Sequence, residues 1–206
     1  MAWLDNTLGI RETANILLEP NEFDFRVVDS PNELHQLIAS RNAINNKSRV
    51  VAGYCWDWVS KKNPGQFDVV IPEHGYAKRW NLDQDGSLWI MAPNSIEEVG
   101  CIHTCQGLEL DYVGVIIGPD LIARDGKLIT LPQSRSNKDR SIRGWKKMME
   151  SDPKGTQERV DRIIRNTYKT LMTRGMKGCY VYCVDGETQS FLKASLGEEH
   201  AHFQIL

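Results

Sequence analysis

The stretch HTCQGLELDYVGVIIG (103–118) joins a short polar turn to a run of apolar residues. A His, a Gly and a Glu stand in the turn, and YVGVII (112–117) follows without a charged residue. An apolar run of this length, closed by Gly118 and Pro119, is typical of a strand buried on both faces, as at the centre of a parallel sheet. We therefore predict a central strand at residues 112–117, with the polar turn held at its front.

Strand and helix patterns alternate along the chain around this central strand. FDFRVVDS (23–30) predicts a strand, and SPNE (30–33) predicts the start of a helix, with Ser30 as the N-cap and Pro at the first helical position. SRVVAGYCW (48–56) and CYVYCV (179–184) predict two further strands. This order of elements predicts an α/β fold with a mainly parallel sheet.

A long amphipathic helix is predicted from Gln157 onward. Its apolar positions recur at helical spacing, and they are Val160, Ile163, Ile164, Tyr168, Leu171 and Met172. We expect this helix to end near Gly175 and Gly178, because glycine suits a helix C-terminal cap. Asp-Gly pairs in LIARDGKLIT (121–130) and KRWNLDQDGSLWIM (78–91) predict two hairpins.

The length of 206 residues and a hydrophobic content of 41% are enough for one sizeable core. We interpret residues 1–22 as an arm or the tail of a preceding domain, 23–196 as the main domain and 197–206 as a tail. The sequence shows neither a run of 18 apolar residues nor an apolar segment at the start. We therefore predict a cytoplasmic protein that does not enter a membrane.

The net charge of −2 conceals a basic segment. Residues 134–177 hold 13 Lys or Arg and 5 Asp or Glu, whereas the rest of the chain holds 12 and 22. Such a segment is typical of proteins that bind a polyanion, although a solvated helix face gives the same pattern. Residues 134–156 are also polar and interrupted by glycine, so we predict a basic insertion there that is mobile or only partly helical.

Two pairs of cysteines allow a zinc site in principle. Cys101 and Cys105 form one C-x-x-x-C pair, and Cys179 and Cys183 form another. The second pair stands in a predicted strand, where both side chains share one face, unlike the turns that usually hold structural zinc. We therefore expect small buried residues and no metal. Three aromatic residues near 54–58 allow either base stacking or core packing, and we favour packing.

Three separated blocks resemble superfamily-one helicases. HTCQGLELDYVGVI (103–116) is similar to their fifth motif, in which a His, a Gln or Lys, a Gly and a Glu precede a buried strand. NTYKTLMTRGMKGCYVYCV (166–184) is similar to their sixth motif, with a Tyr, Thr-Arg, a small residue and a strand. With SRVVAGYCWDW (48–58), these blocks resemble the C-terminal part of a helicase-like ATPase family related to Schlafen group 3, domain of unknown function 2075. The resemblance implies a RecA-like (P-loop NTPase-like) second domain with helices on both faces of the sheet.

The resemblance also implies which residues contact ATP. Arg174 corresponds to the arginine finger, whose guanidinium neutralises charge on the transferred phosphoryl group. Gln106 and Gly107 lie near the γ-phosphate in such a site, and Glu109 accepts a hydrogen bond from the ribose. These four residues are the expected cofactor-binding set, and Arg174 is the expected catalytic residue.

The same resemblance implies partners. His103 and Thr104 are expected to relay the nucleotide state to bound single-stranded DNA or RNA. The sequence contains no G-x-x-x-x-G-K-[ST] motif, so ATP and Mg²⁺ are expected to be bound mainly by an N-terminal P-loop domain, in cis or in trans. We therefore expect this chain to be inactive as an ATPase alone.

Two other functions remain open from the sequence. Asp120, Asp125 and Lys127 resemble the carboxylates and lysine of Mg²⁺-dependent nucleases, although their spacing is short and a DG turn also explains it. A non-catalytic nucleic-acid-binding module with residues 134–177 as its contact surface is the other alternative.

Overall fold

A computed structural model describes residues 2–14, 18, 23–81, 86–92, 94–104 and 109–197, with the backbone alone at 86–88. The strands in these residues are β1 (Asp24–Val27), β2 (Ser48–Ala52), β3 (Val69–Ile71), β4 (Tyr76–Lys78), β5 (Val99–Gly100), β6 (Leu110–Ile117), β7 (Leu121–Arg124), β8 (Lys127–Thr130) and β9 (Gly175–Cys183). The α-helices are α1 (Ala2–Thr7), α2 (Pro31–Asn45), α3 (Trp145–Ser151), α4 (Pro153–Met172) and α5 (Gly186–Ser195).

Five of these strands form one parallel sheet in the order β1-β9-β6-β2-β5. Helix α2 packs against one face of the sheet through Leu34 and Ile38. Helices α1, α4 and α5 contribute the core residues of the opposite face. The predicted α/β fold, with a parallel sheet between helices, is therefore confirmed, and it is consistent with a RecA-like domain.

The predicted central strand is β6, which lies between β9 and β2. Val113 and Val115 pack in the core on the α4 side, whereas Ile116 packs on the α2 side. A Cβ at Gly114 would lie 2.8 Å from the Ile38 side chain, so this glycine lets α2 approach the sheet closely. The apolar run is continuous because both of its faces are covered.

Helix α2 begins as the sequence predicts. The Ser30 hydroxyl accepts a hydrogen bond from the Glu33 backbone N–H at 3.0 Å, and Pro31 is the first helical residue. The Glu33 carboxylate reaches back to the backbone N–H of Asp29 at 3.1 Å. Local capping signals are sufficient to place this helix.

The hairpin predicted at residues 121–130 is confirmed. Strands β7 and β8 pair antiparallel, and Asp125 and Gly126 form the turn with φ of 50° and 70°. Positive φ at both positions is what Asp-Gly favours in a two-residue hairpin turn. The hairpin predicted at residues 78–91 falls partly on residues 82–85, which lie outside the described residues. Residues 86–91 form a 3₁₀ helix.

The predicted glycine cap of α4 is wrong. The helix ends at Met172, and both Gly175 and Gly178 lie within β9. They flank an irregularity in the register, where Leu110 pairs with Gly175 and Tyr112 pairs with Gly178. A Cβ at Gly175 would lie 2.1 Å from the Gly178 carbonyl oxygen. These glycines serve a β-bulge, in which two backbone segments approach too closely for a side chain.

Helix α1 packs on the main domain. Trp3 and Leu4 are buried in its core, and the Trp3 indole N–H donates to the Ser195 carbonyl at 3.1 Å. The division of the chain at residues 22 and 196 stays a prediction. In the part of the chain that the structure describes, no helix combines the length and the apolar character that a membrane span needs.

Candidate functional site

The fifth-motif and sixth-motif segments meet where β6 and β9 begin, which we call the amino edge of the sheet. The Leu110 backbone N–H donates to the Arg174 carbonyl at 3.0 Å, immediately before Gly175 pairs with Leu110. The parallel pairing of β6 and β9 thus brings Glu109 and the start of β6 beside the helix-to-strand junction that carries Arg174. The family resemblance implied that residues of these two segments share one site.

Arg174 is half-buried at this junction, just after the C-terminal end of α4. Its Nε donates to the Thr170 carbonyl at 3.1 Å, which holds the side chain along the last turn of the helix. Within the described residues, no carboxylate forms an ion pair with its guanidinium. The terminal nitrogens of this cation are therefore available to an anion at the amino edge.

Residues 101–104 form a turn directly after β5, at the opposite edge of the sheet, where the parallel strands end. The Thr104 N–H donates to the Cys101 carbonyl at 3.1 Å, and the Thr104 hydroxyl donates to the Asn81 side-chain oxygen at 2.6 Å. His103 is exposed at the tip of the turn. Thr104 thus fastens the turn to the domain, while the imidazole of His103 faces solvent.

The structure describes only one of the three other residues that were predicted to contact the nucleotide. Gln106, Gly107 and Cys105 lie outside the described residues. Glu109 is exposed directly before β6, one residue from the Leu110–Arg174 hydrogen bond. Its carboxylate and the Arg174 guanidinium therefore belong to the same edge of the sheet.

A buried polar network occupies the opposite, carboxyl edge, where β6 ends. The Tyr168 hydroxyl donates a short hydrogen bond to Asp120 and accepts from the Gly118 N–H at 2.9 Å. Arg135 donates to Asp120 at 3.1 Å and also pairs with Asp139. The side chains of Asp120 and Arg135 are both 0% exposed.

Burial governs the titration of this network. It raises the pKa of the Tyr168 hydroxyl well above its ordinary range, and the Asp120 carboxylate adds to that rise. Burial likewise raises the pKa of the nearby Cys55 thiol. For Arg135, burial opposes the charge, but the attraction of Asp120 and Asp139 prevails and the pKa is raised. The tyrosine and the thiol are therefore neutral, and the arginine is charged.

Comparison with known proteins identifies the family. The sequence matches the family described as Schlafen group 3, DNA/RNA helicase domain, over residues 1–185. The chain belongs to this family. It is also 25% identical over 172 residues to an uncharacterised protein of Saccharomyces cerevisiae, covering 82% of this chain. The chain spans 36% of the length of that yeast protein. No solved structure gives a significant match.

The basic segment of this Schlafen group 3 domain does not form one surface. At the amino edge, Lys177 pairs with Asp111 at 2.7 Å, and Lys169 pairs with Asp5. Within residues 134–177, the exposed cations for which no ion pair is found among the described residues are Arg140, Arg143, Lys146, Lys147, Lys154, Arg159 and Arg162. Arg162 is ten positions from Met172, the last residue of α4, which corresponds to about 15 Å along the helix. The free cations of α4 are thus about 15 Å or more from its C-terminal end, away from Arg174.

The nuclease alternative finds no assembled site. Asp120 is fully buried against Arg135, whereas Asp125 and Lys127 are exposed at the β7–β8 turn. Among the described residues, no group of three or more His, Cys, Asp or Glu side chains is placed to hold a metal ion. Cys179 and Cys183 both pack in the core on one face of β9, as their spacing predicted.

The aromatic residues after β2 pack mainly against the domain. The Tyr54 ring stacks on the fully buried Trp80 with centroids 5.5 Å apart, and the Trp80 indole N–H donates to the Trp56 carbonyl at 3.2 Å. Trp58 is half-buried, with Lys61 5.3 Å from its ring. This supports core packing over base stacking.

The sequence interpretation missed the network around Asp120. Its only local signal was the Pro-Asp that follows the central strand, and that signal was read as a nuclease motif. Arg135 belongs to the predicted mobile insertion, yet it anchors residues 135–139 beneath the carboxyl edge. Of that insertion, α3 and the start of α4 are helical, so it is helical in part as expected.

Proposed function

We propose that this domain is the C-terminal RecA-like half of a superfamily-one, nucleic-acid-dependent ATPase, related to domain of unknown function 2075, and that Arg174 is its arginine finger. The observation that supports this most directly is the position of Arg174. Its guanidinium is free of ion pairs in the described residues, and its carbonyl is bonded to Leu110 at the front of the central strand. A planar cation held at such a junction suits contact with a phosphoryl group.

The other contacts that the family resemblance implies are part of the same proposal. Glu109 accepts from the ribose, and Gln106 and Gly107 approach the γ-phosphate. His103 and Thr104 connect the nucleotide to single-stranded DNA or RNA. The exposed position of His103 and the fastening of Thr104 to Asn81 suit a turn that is held at its base and reaches outward.

The proposal assigns the Mg²⁺ ligands and the phosphate-cradling loop to a separate P-loop half. The sequence lacks a P-loop, and the described residues hold no carboxylate cluster suited to a metal. Bound ATP supplies the phosphoryl group, and this chain contributes a positive charge that neutralises the developing negative charge. An arginine finger accelerates NTP hydrolysis by about 10³ to 10⁵ in other enzymes.

The test is reconstitution. The isolated chain is expected to show no ATP turnover, and addition of a P-loop half from the same family, in cis or in trans, is expected to restore it. Arg174→Ala should then lower the rate by about 10³ or more, whereas Arg162→Ala, an exposed arginine on α4, should not. Turnover by the isolated chain that depends on Arg174 would refute the division of roles.

A second candidate function is a non-catalytic nucleic-acid-binding module. It is favoured by the exposed cations of residues 140–162, which lie away from Arg174 and form no ion pair in the described residues. Binding of a single strand whose log affinity falls linearly with log salt supports this function. ATPase activity on reconstitution separates the first candidate from the second.

A further inference from the structure

Two adjoining cavities lie beyond the carboxyl edge, on either side of Trp145. The first, which we call the cationic cavity, has a volume of about 290 Å³, and the four cations in its lining are Arg135, Arg143, Lys146 and Lys147. The second, the apolar cavity, has a volume of about 230 Å³ and includes Met149, Thr156 and Val160 in its lining. Pro132, Gln133 and Trp145 line both cavities.

The charge of the cationic cavity selects an anion. Asp120 and Asp139 face two of the three Arg135 nitrogens, and their two negative charges exceed the single positive charge of that side chain. The remaining cations are Arg143, Lys146 and Lys147, which are exposed and form no ion pair among the described residues. The net field at the opening is therefore positive, as a phosphate group requires.

The apolar cavity offers a surface for a flat ring. Trp145 is half-buried at the boundary, and Met149 and Val160 supply apolar area beyond it. The Lys146 ammonium lies 5.9 Å from the Trp145 ring centroid, so a phosphate bound by this lysine is close to a base stacked on the indole.

We propose that the two cavities together bind one nucleoside phosphate unit, with its phosphate in the cationic cavity and its base in the apolar cavity against Trp145. The unit is either one nucleotide of a single strand or a free nucleotide, since both present the same phosphate and base. Their combined size is within the range of small-ligand sites, about 300 to 1,000 Å³. The site rests on the nucleic-acid partner proposed above but not on Arg174, because it lies at the opposite edge.

The experiment measures binding of fluorescein-labelled dT12 to the purified chain by anisotropy across a salt series. For a single strand, the slope of log affinity against log salt falls by about 0.7 for each phosphate that is no longer neutralised. Arg143→Ala/Lys147→Ala, which removes two cations around the one bound phosphate, should therefore reduce it by about 0.7. Trp145→Ala should weaken binding roughly tenfold with little change in slope, because it removes stacking alone. Trp145→Phe, which keeps a ring, should retain most of the affinity.

The matched control is Lys62→Ala/Lys127→Ala, which removes the same charge from exposed positions that lie outside residues 140–162 and line neither cavity. Competition by AMP and by unlabelled dT12 distinguishes the two sources of the nucleotide. The site is supported if either competitor displaces the labelled strand from the wild type and fails to do so from both site variants. The proposal is overturned if dT12 and AMP both fail to bind, if the control pair lowers the slope as much as the site pair, or if Trp145→Ala binds like the wild type. None of these measurements requires ATP hydrolysis, so their failure leaves the Arg174 proposal standing.

Discussion

Replacement of Tyr168 by Phe removes one buried hydroxyl and leaves the ring in place. The hydroxyl donates to Asp120 and accepts from the Gly118 N–H, and Tyr168 is 0% exposed. Without it, the Gly118 N–H has no partner and Asp120 loses one donor. A buried group left unpaired costs about 1 to 3 kcal/mol, and the lost hydrogen bond to Asp120 adds about 1 kcal/mol, so the free energy of unfolding should fall by about 2 to 4 kcal/mol.

Urea denaturation followed by circular dichroism measures this loss. For an m-value of about 3 kcal/mol/M, the unfolding midpoint should fall by about 1 M with the m-value unchanged. Tyr182→Phe is the matched control, because Tyr182 is 3% exposed and its hydroxyl makes no hydrogen bond with the described residues. A Tyr168→Phe midpoint equal to that of Tyr182→Phe would show that the network does not stabilise the domain.

Three further outcomes are expected. Gly175→Ala should lower the unfolding midpoint and the rate of a reconstituted ATPase together, because its Cβ would lie 2.1 Å from the Gly178 carbonyl beside Arg174; an unchanged rate contradicts a positioning role for the bulge. Burial lowers the pKa of His35 below 6.5, so its contribution to stability is present above pH 6.5 and is lost as pH falls through the folded-state pKa. His35→Leu should therefore flatten the pH–stability profile, measured by urea unfolding, over the range below pH 6.5. Asp185 caps α5, and hydrogen bonding to Arg124 lowers its pKa to about 2. Asp185→Ala should therefore cost about 1 to 3 kcal/mol of stability at pH 7, and the wild type should lose most of that stability as pH falls from about 4 to 2 in thermal melts. Equal melting temperatures of the variant and the wild type at pH 7 would contradict this role of Asp185.

The sequence was sufficient where the deciding interactions are local. The cap of α2 depends on Ser30 and Glu33, three residues apart, and the β7–β8 hairpin depends on two adjacent turn residues. The continuous apolar run of β6 identified the centre of the sheet, because only a strand covered on both faces lacks alternation.

The remaining features depend on residues that are distant in the chain. Tyr168 and Asp120 are 48 positions apart, so no local pattern reports that they form a hydrogen bond. The glycines of β9 resembled a helix cap because both uses require a residue without a side chain, and only the register with β6 distinguishes them. The position of Arg174 between a helix and a strand followed from the resemblance to the sixth motif, whereas the cavities around Trp145 required the packing of α3 on α4.

The central claim is that the Arg174 guanidinium contacts the phosphoryl group during transfer. Binding of ADP–aluminium fluoride, which mimics that group, to the domain reconstituted with its P-loop half tests this most directly when compared with binding of ATP. The account predicts that Arg174→Ala weakens the affinity for ADP–aluminium fluoride by about 10³ while the affinity for ATP changes little, since the contact strengthens only in the transition state. Equal losses for both ligands, or no loss for either, would contradict it.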